Sequence, residues 1–273
     1  MRRASRLLGR LFFYLLVVFV VVYSVFPFYW AVISSFKPSD ALFSPDPSFL
    51  PVPFTLEHYE NVFLQANFGR NLLNSLIVAG GATLLAALFG APPGPWLALR
   101  GGGGVWGRAR LYSGLALPSV VVGLLFYLLL SRSGPLGFLN LLYTPWAMVL
   151  AEATLAFPLI AAFVLSGARG RVEEVRLLVR SLGGKERHVL PTLLAESRRT
   201  LAAALAAGFG GAISEVGAAT LVGGDIRHHT RVLTTAIVVE TRMGELHAAL
   251  ALGAVLLGIA LLVTAFLVIL ERE

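Results

Sequence analysis

An acid and a group of hydroxyl and guanidinium side chains stand together in an otherwise apolar part of the chain. Glu215 lies inside the apolar run 201–222, where a charge is costly unless it is paired or hydrated. The segment 223–245 is rich in threonine and arginine, and a helix beginning near Thr230 or Arg231 would also present free N–H groups, all of which bind anions. The residues that we predict to form a path or gate are Ser214, Glu215, Thr230, Arg231, Thr234 and Thr235.

Glu215 also lies at helical spacing with small residues. If 201–222 is one helix, its stripe contains Ala204, Gly208, Gly211, Ala218 and Ala219. Small residues let helices pack closely, so Glu215 should face the interior of a helix bundle rather than lipid. There it either lines or gates a path, or it is a hydrogen-bond partner between helices. Glu152 lies near the external end of the run 145–165, where it could reach water, and a structural role is the preferred interpretation for it.

The other chemistry-bearing residues predict neither a metal site nor a catalytic centre. The chain has no cysteine, so thiolate zinc sites and disulfides are excluded. His228 and His229 are adjacent, and in a helix or strand they would point apart. The sequence contains no His-Glu-x-x-His or Gly-x-Ser-x-Gly pattern, so an intramembrane enzyme is not expected. We therefore predict no catalytic residue, no metal and no cofactor.

The elements that must position these residues are long apolar runs. Hydrophobic residues make up 57% of the 273 positions and charged residues 14%, with a mean hydropathy of +0.79, whereas a soluble domain is about 25% charged. Runs of this length and character predict membrane-spanning helices. The six predicted spans are 11–34, 71–99, 111–130, 145–165, 201–222 and 246–270. Pro27, Pro158 and the segment 90–95 should kink or unwind the spans that contain them.

The basic residues mark which ends of the spans share a side of the membrane. Sixteen of the 22 Lys and Arg residues lie in the N-terminal segment, in the 99–110 turn, in the 169–199 loop and at the C-terminus, and six lie on the opposite side. The positive-inside rule therefore predicts cytoplasmic termini and a multi-pass protein of the cytoplasmic membrane. This distribution follows the ends of apolar runs, so the net charge of +7 does not indicate a nucleic-acid partner.

The 169–199 loop is the one long polar segment with helical periodicity. Val175, Leu178, Val179 and Leu182 recur at spacings of three and four, which predicts a short amphipathic helix. Gly183 and Gly184 should end it. A helix of this kind outside the bilayer needs a protein partner for its apolar stripe.

This loop resembles the coupling loop of binding-protein-dependent ABC importer permeases, because Ser181-Leu182-Gly183-Gly184 stands between two helical patterns. In that family the loop is a helix, a glycine and a second helix that dock into a groove of the ATPase. Leu177 occupies the position where the family has its typical glutamate, and Glu173 and Glu174 lie one turn earlier. The resemblance implies an ATPase contact by Glu174, Leu178, Val179, Ser181, Leu182 and Gly183.

Two further resemblances divide the chain. Ala212-Ile-Ser-Glu-Val-Gly-Ala and Leu117-Pro-Ser-Val-Val-Val-Gly-Leu resemble permeases for tungstate and molybdate. Phe26-Pro-Phe-Tyr-Trp-Ala-Val-Ile and Asn71-Leu-Leu-Asn-Ser-Leu resemble carbohydrate permeases of the maltose type. They imply a sugar-permease-like segment 1–85 and an oxyanion-permease-like core 86–273, which together form one membrane domain.

The fold class that we predict is all-α: a polytopic membrane protein with about six transmembrane helices and a cytoplasmic coupling helix. The resemblances imply the permease subunit of an ABC importer that moves tungstate or molybdate by ATP-driven alternating access. Because the chain has no phosphate-binding Gly-x-x-x-x-Gly-Lys loop, ATP hydrolysis is assigned to a separate subunit. The expected partners are ABC ATPase subunits, an extracytoplasmic solute-binding protein, a second permease copy or related permease, and lipid. The alternatives are a maltose-type carbohydrate permease and an ATP-independent channel or transporter.

Overall fold

The computed structural model describes residues 2–42, 44–46, 48–64, 67–101 and 104–272, and every regular element in these ranges is helical. In chain order, the α-helices are α1 Arg2–Ser34, α2 Glu57–Leu64, α3 Phe68–Gly90, α4 Pro93–Leu99, α5 Gly104–Leu115, α6 Ser119–Leu130, α7 Pro145–Arg169, α8 Val172–Ser181, α9 Val189–Glu196, α10 Arg198–Ile213, α11 Gly217–Gly223, α12 Leu233–Met243 and α13 Leu246–Arg272. Two short 3₁₀ turns lie at Gly137–Leu139 and Glu186–His188. The predicted all-helical class is confirmed.

Among the described residues, four stretches are long and apolar enough to cross a membrane as single helices. They are Gly9–Ser34, Phe68–Leu99, Pro145–Arg169 and Leu246–Ile269. Two bent helix pairs, α5 with α6 and α10 with α11, bring the number to six if each pair is one span. Length and hydropathy therefore agree with the six predicted spans.

The third predicted span is not one straight helix. α5 and α6 meet at 87°, with a break at residues 116–118. Pro118 has a ψ of 129°, which is an extended conformation, and α6 begins at the next residue. Proline lacks the N–H group that would continue the α5 hydrogen-bond ladder and disfavours a helical residue before it, so the break falls where the sequence places Pro118.

The fifth predicted span is also broken, and here the prediction of a single stripe is wrong. α10 and α11 meet at 61° across residues 214–216, so Glu215 lies between two helices rather than on one. The sequence has no proline at this point, and Gly210, Gly211 and Gly217 on either side lower the cost of leaving the helix. Residues 204–211 therefore lie on α10 and residues 218–219 on α11, so they do not form one stripe.

The proline-rich end of the second span does not unwind. Ala91 and Pro92 keep α-helical backbone angles, with φ and ψ of −67° and −44° and of −64° and −39°. The prolines remove backbone donors, which interrupts the hydrogen-bond ladder between α3 and α4 while the chain continues in the same helical sense.

α7 lies at the centre of the molecule and packs against α3, α4, α10 and α11. Close packing depends on small residues: a Cβ on Gly94 would lie 2.8 Å from the Leu165 nitrogen and 3.1 Å from the Ala161 oxygen. Such contacts are the usual means of helix association inside membranes, where apolar area alone does not favour protein over lipid. By contrast, the apolar window of α1 is fully exposed in the single chain.

Candidate functional site

The breaks in the two bent spans meet in the middle of the molecule. α6 packs against α11 so closely that a Cβ on Gly123 would lie 2.8 Å from the Ala218 Cα. A Cβ on Gly217 would lie 2.9 Å from the Ser119 hydroxyl oxygen. Glycine at these two positions therefore lets the start of α11 rest directly on the start of α6.

Glu215 binds the start of α11 through its side chain. Its Oε1 accepts hydrogen bonds from the N–H groups of Val216 at 3.0 Å, Gly217 at 2.8 Å and Ala218 at 3.3 Å. The first N–H groups of a helix have no partner within the helix and carry partial positive charge, so a carboxylate is well placed there. Backbone donors, rather than a basic side chain, therefore stabilise the charge of Glu215.

A cavity of about 370 Å³ lies beside this junction. Its polar lining consists of Ser119 from α6, Glu152 from α7 and Glu215 from the α10–α11 break, and the remaining lining residues are Gly, Ala and Leu. No aromatic or basic residue is among the described residues that line it. The sequence alone did not point to Ser119 as a site residue, although it follows the Pro118 that marks the break.

Glu152 is almost completely buried, whereas the sequence placed it near the end of a span where it could reach water. The residue is only 2% exposed, and its Oε2 has no hydrogen-bond partner among the described residues. It lies beside the α5–α6 break and α10, whose residues line the same cavity. Glu152 therefore joins Glu215 in the cavity.

Of the six predicted path residues, Glu215 alone lines this cavity within the described chain. The Ser214 hydroxyl donates back to the carbonyl oxygens of Gly210 and Gly211, at 2.9 and 3.0 Å, and its residue borders a separate apolar cavity of about 610 Å³ between α1 and α13. A path role for Ser214 stays a prediction.

Of the predicted path residues in the 223–245 segment, Thr230, Arg231 and Thr235 bind other groups of the same segment. Thr230 is buried and donates to the Gly223 carbonyl at 2.6 Å, and Arg231 forms an ion pair with Asp225 at 3.0 Å. Thr235 accepts from the Val232 N–H at 3.1 Å, so the helix begins at Leu233 rather than near Thr230 or Arg231. These contacts stabilise the turn before α12, and anion binding by the three residues stays a prediction.

Thr234 connects this loop to the break. Its hydroxyl donates to the Glu215 carbonyl oxygen at 2.9 Å, and Asn74 of α3 donates to the carbonyls of His229 and Arg231, both at 2.9 Å. Side-chain bonds of this kind hold irregular backbone in place inside a helical bundle.

A larger cavity of about 990 Å³ opens between α2, α12 and α13. His58 and His247 stack beside it with ring centroids 4.4 Å apart, and Arg231 and Glu240 are among its lining residues. The polar character of residues 36–70 indicated an external loop, but nothing in the sequence indicated that α2 would pack on α13.

In the 169–199 loop, the predicted helix, glycine and second helix are present as α8, Gly183 and α9. Gly183 has a φ of +76°, a conformation that glycine adopts without strain. Val175 and Val179 are buried in the core of the chain, whereas Leu178 and Leu182 are 47% and 78% exposed. Val179 therefore holds α8 on its own subunit, and the exposed leucines provide the outward apolar surface. Glu174 and Ser181 are also exposed, and the Ser181 hydroxyl donates to the Leu178 carbonyl at 2.8 Å.

Ion pairs close this loop on its outer side. Arg176 contacts Glu173 at 2.6 Å and Glu186 at 2.9 Å, and Arg180 contacts Glu186 at 3.4 Å. The hydrogen bond from Arg176 lowers the pKa of Glu186 below its usual value. The 3₁₀ turn before α9 is therefore joined to α8 by the chain at Gly183 and Gly184 and by the ion pairs of Glu186.

No protein-family model matches the chain. It is 43% identical over 163 residues to a tungstate uptake system permease protein of Peptoclostridium acidaminophilum, covering 60% of this chain and 72% of the relative. It is 40% identical over 200 residues to a probable anion ABC transporter permease protein of Haloferax volcanii, covering 70% and 85%. The chain belongs to the ABC transporter permeases.

The fold agrees with this assignment. The permease superimposes on a chain of a bacterial ABC transporter that imports the acidic polysaccharide alginate, with a TM-score of 0.67 and 19% identity, covering 100% of this chain and 99% of the other. At that identity the likeness shows the fold. This permease is accordingly a multi-pass membrane protein and a transport component rather than an enzyme.

A weaker match involves a carbohydrate permease. The permease is 39% identical over 77 residues to the diacetylchitobiose uptake system permease protein of Streptomyces coelicolor, covering 28% of this chain and 25% of that one. The predicted resemblance to two kinds of ABC permease is therefore confirmed, and the tungstate and anion relatives cover far more of the chain.

Proposed function

We propose that this permease carries a tetrahedral oxyanion, tungstate or molybdate, into the cytoplasm. Two curated tungstate permeases, at 43% and 38% identity, and an anion permease at 40% support this substrate class. The termini and the α8–α9 loop lie on the cytoplasmic side in this proposal, because the basic residues concentrate there.

The cavity at the junction of the two breaks carries the proposal. Its described lining has a hydroxyl, two carboxyl groups and small apolar residues but no aromatic ring on which a sugar could stack. Glu215 opposes an anion path unless a basic residue neutralises it, and no basic residue is among the described residues that line the cavity. The three N–H groups on its Oε1 stabilise the carboxylate but leave its net charge in place.

The mechanism is alternating access with separate partners. A solute-binding protein delivers the anion to the external side, and two permeases, either two copies or this one with a related chain, enclose the path. ABC ATPase subunits bind the surface formed by Leu178, Leu182, Glu174, Ser181 and Gly183. ATP-driven closure of those subunits moves α8, and the buried Val175 and Val179 transmit this movement to the core.

A carbohydrate remains the second candidate because of the match to the diacetylchitobiose permease. We propose that this signal belongs to segment 1–85 and that the path belongs to segment 86–273. All of the polar residues that line the central cavity lie in the second segment, which favours the oxyanion as substrate.

The test is uptake by a strain that lacks this permease. Deletion is expected to abolish uptake of radiolabelled tungstate or molybdate and to leave maltose and diacetylchitobiose uptake intact, with recovery on reintroduction of the gene. Loss of sugar uptake with normal oxyanion uptake would contradict the proposal.

A further inference from the structure

The central cavity is lined by two carboxyl groups, one hydroxyl and otherwise Gly, Ala and Leu residues. Glu152 and Glu215 both line it, and no basic side chain is found among the described lining residues. Two carboxylates in one site of low polarity are rarely both ionised, because each opposes the charge of the other and burial opposes both. One of the two needs a positive charge or a proton.

The hydrogen bonds of the two carboxyl groups differ. Glu215 has three backbone N–H groups on Oε1, which stabilise an ionised carboxylate. Glu152 has no such support: its residue is 2% exposed and its Oε2 has no partner in the described chain. An ionised carboxylate buried in this way is strongly disfavoured relative to a neutral acid.

A bound metal cation is a poorer explanation than a proton. Oxygen-binding cations such as Ca²⁺ take six to eight ligands, whereas the cavity offers the two carboxyl groups and the Ser119 hydroxyl. One carboxylate oxygen is already bound to three N–H groups. The described residues also contain no group of three or more His, Cys, Asp or Glu side chains that could hold a metal.

We propose that Glu152 is a neutral carboxylic acid whose O–H group donates a hydrogen bond to an oxygen of the transported anion in the cavity between the two helix breaks. The inference rests on the proposed oxyanion substrate and identifies one of its contacts. A neutral acid donates to an anion without adding a fixed positive charge that would retain it. Oε2 of Glu152 is buried without a partner in the described chain, so an ionised carboxylate would leave that oxygen uncompensated.

Infrared spectroscopy of the purified full-length permease tests the protonation state without any substrate. The carbonyl stretch of a protonated carboxyl group is expected at neutral pH in the parent and in Glu60→Gln, which removes an exposed acid of α2 as a matched control. The band should disappear in Glu152→Gln and persist in Glu215→Gln. An identical spectrum for the parent and Glu152→Gln would overturn the proposal.

Uptake tests the donor role. Glu152→Gln keeps the length and an N–H donor, so it should retain tungstate or molybdate uptake within about twofold of the parent, whereas Glu152→Met keeps the length without a donor and should lose about tenfold. Immunoblots of the membrane fraction show whether each variant is present. If Glu152→Met does not accumulate, Glu152→Gln decides: a loss of about tenfold or more would mean that an ionised Glu152 is needed and would overturn the proposal.

The two levels of inference fail in different ways. A parent that takes up neither oxyanion overturns the proposed substrate and with it the donor role, while the infrared band still decides whether Glu152 is neutral. A parent that takes up the oxyanion, together with full activity of Glu152→Met, overturns the donor role alone.

Discussion

Glu215 holds its charge with backbone groups rather than with a cation. A helical interpretation of 201–222 placed it on a stripe of small residues, but the chain leaves the helix at Ser214 and resumes it at Gly217. The prediction of one continuous helix through Glu215 was therefore wrong, and its role in a path or gate stays a prediction. The carboxylate itself provides a partner for the free N–H groups that the break creates.

Two replacements of Glu215 should distinguish the effect of its charge from the effect of its hydrogen bonds. Glu215→Gln keeps one acceptor oxygen but weakens bonds that are charge-assisted, at a cost of about 1 kcal/mol, so we expect an assembled permease with reduced uptake. Glu215→Leu leaves three N–H groups without an acceptor, at about 1–3 kcal/mol each, so we expect little assembled protein.

Uptake of labelled oxyanion and the thermal unfolding midpoint of the purified variants check this expectation. Glu60→Gln, on the exposed side of α2, is the control and should behave as the parent. Parent-like transport and stability in both Glu215 variants would show that neither role is correct.

For other residues, the sequence predicted the type of side chain correctly but not its partners in the fold. Glu152 was placed near water by its distance from the end of a span, yet the helices around α7 bury it. Thr230 and Arg231 have anion-binding chemistry, but the nearest partners that the fold gives them are Gly223 and Asp225. Residue type predicts which bonds a group can form, and only the tertiary structure selects among them.

The elements themselves were largely predictable, because hydrophobic length is a local property. All six predicted spans correspond to helices or bent helix pairs in the structure. The 87° and 61° breaks could not be predicted in the same way. Where a helix breaks inside an apolar run, neighbouring helices must provide hydrogen-bond partners for its free backbone groups. Pro118 lies at one break, which the sequence analysis did not predict, and no proline lies at the other.

Periodicity also predicted α8 but not which of its faces is outward. Val175 and Val179 pack inside the subunit, whereas Leu178 and Leu182 remain exposed. A single apolar stripe was expected to serve the ATPase alone. The structure divides it between residues buried in the core and residues on an outward surface.

The outward surface of α8 gives a prediction at this scale. Leu182→Asp and Gly183→Asp should each leave the permease inserted but reduce ATPase copurification and oxyanion uptake by about tenfold, because an unpaired buried charge in a docking groove costs about 1.4 kcal/mol or more. At Gly183 the positive φ adds backbone strain for any side chain.

Ser133→Asp is the control for these variants, since it adds the same charge to an exposed position outside the α8–α9 loop. It should retain copurification and uptake. Normal uptake by Leu182→Asp and Gly183→Asp would exclude this surface from coupling.

At the scale of the whole molecule, the helices differ sharply in their exposure. In the most apolar part of each helix, the share of residues that are buried is 0% for α1 and 6% for α13 but 67% for α7. Peripheral helices of this composition need lipid or a second permease on their outer faces. The sequence predicted which segments are apolar, but which of them form the centre depends on the small residues through which α7 contacts its neighbours.

The absence of native cysteine makes the orientation directly testable. We expect Ser39→Cys, in the exposed segment after α1, to react with a membrane-impermeant thiol reagent in intact cells, and Arg187→Cys, in the exposed α8–α9 loop, to react only after permeabilisation. The charge distribution is the physical reason. Labelling in the reverse order would place the termini outside.

One hydroxyl links the 223–245 segment to the break between α10 and α11. Thr234 lies in the first turn of α12 and donates to the Glu215 carbonyl at 2.9 Å, across 19 positions of chain. Glu215 thus accepts from α12 through its carbonyl and from the start of α11 through its side chain. A displacement of the first turn of α12 would therefore act directly on the residue at the break.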